Sequence, residues 1–364
     1  MAEHTDDLRV EEPGASAAGV DGDSAEEVLR LDDVRAEGRV GGRGRLAALM
    51  LDYAALVAVL MVLVAVFSLR SRSFFSYDQF SAIINPNLPM VLVAVGMTYV
   101  LIIGGIDLSV GSVMALSGAV IGVLFESQRF PLPLAILGGV ATGLACGLVN
   151  GLVVIRWNLP SFIVTLGMLQ IARGATHLIT ASQKPSLLFS NINILSDPLS
   201  WAGGLPPTFF VTMLVVVAGQ LVLSWTVFGR YMIAVGTNEE AVRLSGVDVR
   251  PVKLSVFVIS SLLATLAGIL TLSRHRFADP NVGRDLELEV IAAVVVGGTS
   301  LMGGRGTVIG SFLGLLIIVV LGAGLAALGT RDEVKRLVTG FVIVGAVILD
   351  YYRHRLGQRS ERAA

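Results

Sequence analysis

Few residues in this chain have the type and spacing that chemistry needs. The histidines His4, His177, His275 and His354 are scattered, whereas a metal site or an acid–base pair requires His, Asp, Glu or Cys clustered at ligand spacing. Cys146 is the single cysteine and lies inside an apolar run, so neither a disulfide framework nor a cysteine metal site can form within the chain. Gly297, Gly298, Gly303, Gly304 and Gly306 around Arg305 could expose several N–H groups to a phosphate. A nucleotide-binding P-loop, however, needs Gly-Lys followed by Ser or Thr, and Lys184, Lys253 and Lys335 follow Gln183, Val252 and Val334. The expectation is a chain with no metal, no bound cofactor and no catalytic residue. One charge stands out against that background. Asp107, in GGIDLSVG (Gly104 to Gly111), is the only charged residue from Val91 to Phe125.

The elements that position Asp107 follow from composition. With 364 residues, 54% hydrophobic, 15% charged and mean hydropathy +0.77, the chain is too apolar for an ordinary soluble domain. A net charge of −1 with no basic face gives no reason to expect nucleic acid. A bilayer-crossing helix needs roughly 20 apolar residues. The runs are Ala47–Phe67, Leu88–Ile103, Gly111–Phe125, Leu132–Ile155, Pro160–Ile179, Thr208–Val227, Leu254–Leu272, Leu288–Gly298, Val308–Leu328 and Leu337–Leu349. The fold class is therefore all-α and polytopic, with about ten membrane helices, of which the third, eighth and tenth are short enough to be tilted, broken or re-entrant. Ahead of them, 1–45 reads as a disordered cytoplasmic tail rich in Glu, Asp, Ala and Gly; 46–351 is the membrane domain and 352–364 a basic cytoplasmic tail.

Lys and Arg set the orientation. Arg39, Arg43 and Arg45, then Arg230, Arg243, Arg250 and Lys253, then Arg353, Arg355, Arg359 and Arg362 share one side when the spans number ten. That side, with both termini, is the cytoplasm. Arg70, Arg72, Arg274, Arg276 and Arg284 fall on the other side and are exceptions to the rule.

A charge at membrane depth must face protein, water or a helix end. The glycines before Asp107 allow a helix break, and Asp107 or Ser109 can then cap the next helix. The alternative makes both part of a translocation path or gate. Gly139, Gly143, Gly147 and Gly151 form a strip without side chains along one helix, suited to close packing, and Gly306, Gly310 and Gly314 repeat the spacing. Asn150 beside the strip is either an interhelical hydrogen bond or a lining group. Arg173 either anchors the end of its span or contacts a docked partner or a solute hydroxyl. The 181–207 connection, with Asn191, Asn193 and Trp201, is a landing surface for an external partner.

The longest polar interval in the second half is Phe228 to Lys253. Thr237 and Glu240 have capping-box spacing, a short helix Asn238–Ser245 follows, Gly246 suits its left-handed stop and Pro251 discourages continuation. Ala241 and Leu244 give it an apolar face, while Asn238, Glu239, Glu240 and Arg243 keep the rest polar. It reads either as a solvated turn or as a helix that docks in a partner's groove.

Four segments carry a resemblance: GRYMIAVGTNEEAVRLSGVDV, GGIDLSVGSVMALSGAV, LPSFIVTLGMLQIARG and VVVGGTSLMGGRGTVIGSFLG. They resemble the ribose-type permeases, membrane subunits of bacterial ATP-binding-cassette sugar importers, over about Asp52 to Asp350. The resemblance implies that Asn238 to Gly246 is the coupling helix of a separate ATPase, which carries ATP and Mg. It also implies a second permease copy, an extracytoplasmic sugar-binding protein, a lipid-embedded place in the inner membrane and a pentose such as ribose or xylose as substrate. Nucleosides, branched-chain amino acids or a furanosyl signal are the alternatives within the class. An ion-coupled carrier is disfavoured, because coupling usually shows as several acidic or polar groups within spans and Asp107 stands nearly alone.

Overall fold

The computed structural model describes residues 53–71 and 74–331, and beyond them 333–335, 337–342, 344, 345 and 348. The two tails expected at 1–45 and 352–364 lie outside the described residues, as do residues 343, 346, 347 and 349 of the span expected at 337–349, whose other residues are helical. The helices are α1 (Tyr53–Arg70), α2 (Tyr77–Ile102), α3 (Val110–Glu126), α4 (Leu132–Trp157), α5 (Ser161–Ile179), α6 (Pro207–Trp225), α7 (Val227–Leu244), α8 (Arg250–His275), α9 (Leu286–Val296) and α10 (Val308–Ala327). Among the described residues no strand forms; an isolated bridge pairs Ser186 with Phe277.

Seven of these helices, α1, α2, α4, α5, α6, α8 and α10, are long and apolar enough to cross a membrane. Helices α3 and α9, at 17 and 11 residues, are shorter and largely buried. Helix α2 starts at Tyr77, well before the Leu88 that the apolar run suggests. Ser76 caps it by accepting from Gln79 N (3.2 Å), Asp78 sits favourably in its first turn, and Pro86 and Pro89 lie within it.

Lipid tails are as apolar as leucine, so helices in a bilayer associate through close packing and hydrogen bonds. Helix α8 is the centre of that packing, touching α2, α3, α4 and α7, while α2 also meets α6, α9 and α10. The α4 glycines make the closest approach. A Cβ at Gly139 would meet Ile121 of α3; at Gly143, Thr265; at Gly147, the Phe257 carbonyl and Val258 Cα; and at Gly151, Leu254. Three of the four therefore face α8, backbone against backbone. Gly310 and Gly314 of α10 do the same against Gly297 and the Ala293 carbonyl at the end of α9. Gly306 is not part of that second strip: it precedes α10, where Thr307 caps the helix by accepting from Gly310 N (3.1 Å).

Candidate functional sites: a buried helix break and an exposed turn

Between α2 and α3 the chain abandons helical hydrogen bonding, and the freed groups find partners in side chains. Ser161 Oγ accepts from Ile106 N (2.9 Å) and Thr165 Oγ1 accepts from Leu108 N (3.0 Å). Thr165 in turn approaches the Ile106 and Ser161 carbonyls at 3.1 and 3.0 Å. Ser161 and Thr165 are four apart on α5, so one helix face serves the whole break.

Asp107 lies at the centre of this break, 1% exposed. Its Oδ1 accepts from Ser109 N (3.0 Å) and Ser109 Oγ (2.6 Å), and its Oδ2 accepts from Ser260 Oγ (2.9 Å) of α8. Asn150 Nδ2 of α4 donates to Ser109 Oγ at 3.0 Å. Ser109 is the N-cap of α3 but makes no side-chain cap bond of its own; Asp107, two residues earlier, accepts its N–H instead. Ser260 lies ten residues into α8, about 15 Å along the helix at 1.5 Å per residue, so the knot is deep in the bundle. It joins the start of α3 to α8 at one carboxylate, α4 through Ser109, and α5 at the adjoining backbone. Asn150 Oδ1 and Ser261 Oγ are buried there without a partner.

Arg173 sits elsewhere. Its Nη1 donates to the Pro280 and Val282 carbonyls (2.8 and 2.9 Å), tying α5 to the segment that connects α8 and α9. That segment reaches inward until Gly283, with φ +69°, rests against Gly111 in the first turn of α3.

The second polar place is the end of α7. The helix runs from Val227, earlier than the expected start, and breaks at Asn238 (φ −159°, ψ 95°). The capping box does not form. Thr237 donates its hydroxyl back to the Ile233 carbonyl (2.8 Å), and Asn238 Oδ1 accepts from Ala241 N (3.0 Å), so the cap is Asn238, one residue later than expected. The preceding helical turn already offers Thr237 an acceptor four residues back, which draws its side chain away from the new helix. Glu240 approaches Arg243 (3.9 Å) instead of the backbone, and Glu239 forms a tighter pair with Lys253 (2.5 Å).

The turn ends in a Schellman pattern: Gly246, at φ +85°, donates to the Arg243 carbonyl (3.0 Å) and Val247 to the Val242 carbonyl (3.3 Å). Val242 packs inward. Ala241 is exposed and Leu244 is 81% exposed, so the apolar face finds no cover among the described residues.

A backbone junction links the two places. Gly304 N donates to the Ile102 carbonyl at the end of α2 (2.8 Å). Gly236 of α7 lies against that same carbonyl, and Gly303 against Gly104 and Gly236. None of these contacts leaves room for a Cβ. Ser260, Ser161, Thr165 and this glycine junction escape a reading of the sequence; the four-residue spacing of Ser161 and Thr165 beside Pro160 is the one local sign of them.

Seven apolar spans around a hydrogen-bonded helix break, with an uncovered amphipathic turn at one end, define a polytopic membrane permease. The chain belongs to the family described as branched-chain amino acid transport system / permease component, whose profile matches residues 79–347. It is similar to the ribose import permease of Escherichia coli strain K12, 37% identical over 308 residues that cover 83% of this chain and 94% of that protein. It is also similar to the fructose import permease of Rhizobium meliloti (35%; 82% and 84%) and to the L-arabinose ABC transporter permease of Azospirillum brasilense (35%; 84% and 89%). No solved structure matches the chain. The protein is thus a multi-pass inner-membrane permease of the ABC transporter class, a transport subunit and not an enzyme.

Proposed function

We propose that this chain forms the membrane path of an ATP-driven importer for a simple sugar, with a pentose such as ribose as the leading substrate. The observation that carries the reading is the likeness to ribose, fructose and arabinose permeases across more than four fifths of the chain. ATP with Mg is hydrolysed on a separate ATPase, an extracytoplasmic binding protein delivers the sugar, and two copies of the chain assemble. Both termini and the α7 end face the cytoplasm in a bundle of about ten helices, an arrangement supported by the Arg and Lys bias around those segments.

The turn Asn238–Gly246 docks on the ATPase. Its uncovered Ala241 and Leu244, flanked by the Glu240–Arg243 pair, supply the apolar-centre, charged-rim chemistry of a helix seated in a groove. Asp107, Ser109 and Asn150 act as a joint between helices and not as solute contacts, because the carboxylate's neighbours are the protein's own donors. Arg173 is an anchor for the α8–α9 segment.

Proteoliposomes holding the chain, with and without its candidate ATPase and binding protein and with ATP inside, test this against labelled pentoses and hexoses. Uptake that requires all three proteins and ATP, and that falls at least tenfold in Leu244→Asp, is the expected result. Uptake by the chain alone, driven by an ion gradient, overturns it.

A further inference from the structure

At the end of the bundle opposite the α7 turn, the first turns of α2, the start of α6 and the last turn of α8 line a half-open cavity of about 510 Å³, within the size range of small-molecule sites. Its wall is unusual for a membrane helix. Tyr77, Asp78, Ser81 and Asn85 of α2 line it, with Ser196 of the α5–α6 connection and Arg274 of α8. Pro86 and Pro89 have no N–H, so the helical partners of the Ala82 and Asn85 carbonyls are missing. Asn85 Nδ2 donates to Ser81 Oγ (2.9 Å), yet Asn85 Oδ1 is shielded and has no partner. An amide oxygen in that state is stabilised by a donor the chain does not supply. Proline-interrupted helix with open carbonyls is tolerated at membrane depth only where it is buried in protein or lines a cavity.

Groups that can only accept, one carboxylate, two carbonyls without a helical N–H and an unpartnered amide oxygen, thus outnumber the one group that can only donate, the Arg274 guanidinium, while the hydroxyls can do either. Leu88 and Leu270 add an apolar patch. A neutral polyol matches this wall, because each of its hydroxyls donates and its C–H face packs on leucine. A sugar phosphate or carboxylate does not, since Asp78 and the carbonyls repel it. The geometry points to a monosaccharide site at the outer mouth of α2, in which Asn85, Ser81 and Asp78 accept hydrogen bonds from sugar hydroxyls as the solute enters the bundle. This rests on the sugar-importer reading and goes beyond it by placing a solute contact far from Asp107.

The test is thiol protection. In a Cys146→Ala background reconstituted in nanodiscs, Ser81→Cys is treated with a membrane-impermeant maleimide, with and without millimolar ribose, xylose, arabinose or fructose, or ribose 5-phosphate. Expected is labelling that a neutral sugar slows at least threefold and ribose 5-phosphate does not, with protection lost when Asn85→Leu is added. Leu214→Cys, which faces away on α6, is the unlabelled control. Labelling that no sugar slows, or that only added lipid headgroup analogues slow, overturns the site.

A second arm measures sugar uptake and ATP hydrolysis by the complete complex. Asn85→Leu is expected to cut sugar uptake about tenfold while ATP hydrolysis stays within twofold of the parent, and uptake unchanged in that variant also overturns the site. If the parent complex moves no sugar, the importer reading itself fails, whereas intact uptake without protection at Ser81→Cys removes only the site.

Discussion

The turn at Asn238 and the knot at Asp107 both start a helix with a short polar side chain, and they are built in opposite ways. Everything the turn uses lies within a few residues: Asn238 accepts from Ala241, Gly246 closes on Arg243, and only Glu239 reaches further, to Lys253. The knot draws Ser260 from 153 residues away and Asn150 from 41. One is a local rule executed in water; the other exists only when α3, α4 and α8 have met. The difference separates a surface element that is redesigned by single substitutions from a core joint that holds the bundle's register.

Breaking the knot should therefore cost most. Asp107→Leu strands the Ser109 N–H and the Ser109 and Ser260 hydroxyls, and at roughly 1 kcal/mol per stranded donor the loss is about 3 kcal/mol or more. It is read as a lower melting temperature in detergent and less folded protein in membranes. Asp107→Asn should lose less than half as much, since the amide oxygen still accepts and its NH₂ can donate to Ser260; equal losses would mean that the charge itself matters.

Next in size is the α4–α8 seam, on which the knot depends for Asn150. Gly147→Leu drives a side chain into the Phe257 carbonyl and should destabilise by about 1–3 kcal/mol. Gly167→Leu, where nothing lies within 4 Å, should leave the melting temperature unchanged.

On the turn, Asn238→Ala should cost about 1 kcal/mol and raise hydrogen exchange at residues 239–243. Thr237→Ala should barely change it. The reverse outcome would restore the capping box that the sequence spacing suggests.

The smallest expected effect is a pH response in the loops at the cavity's end of the bundle. Partial burial alone would raise the Asp279 carboxyl, but Lys184 (2.7 Å) and the Asn281 N–H (2.9 Å) outweigh it and hold it below its ordinary 3.8. A depressed carboxyl stabilises the folded loop above that ordinary value, and the contribution disappears as pH falls through the depressed one. Protection of the Asn281 amide should hold at pH 5 and fade below pH 3.8 in the wild type, and be weak at both in Lys184→Ala.

What was legible in the sequence divides along the same line as these two regions. Apolar runs located α3 through α6 and α8 through α10 to within a few residues, because segment hydropathy is a local property. The start of α2 was not legible, since its first three turns are largely polar and two prolines follow, and they are helical because Ser76 caps them and α6 and α8 pack against α2. The cap moved by one residue, as Thr237 had a nearer acceptor in a helix whose extension back to Val227 no spacing rule announced. The strip Gly139 to Gly151 marked a close approach, but α8 as its main partner emerges only in three dimensions. Ser260 is one of several serines on α8, and nothing in its immediate neighbours singles it out.

The glycine junction between Ile102, Gly236 and Gly304 has a mechanical consequence. Side chains absorb displacement by changing rotamer, whereas backbones in direct contact do not. A force applied at α7 therefore reaches the end of α2, and the break holding Asp107, through an almost incompressible linkage. Outboard of it, the chain turns at Asn238, the one residue of α7 with extended dihedrals, so the Asn238–Gly246 turn is hung on the bundle at an angle like a crank on a stiff shaft.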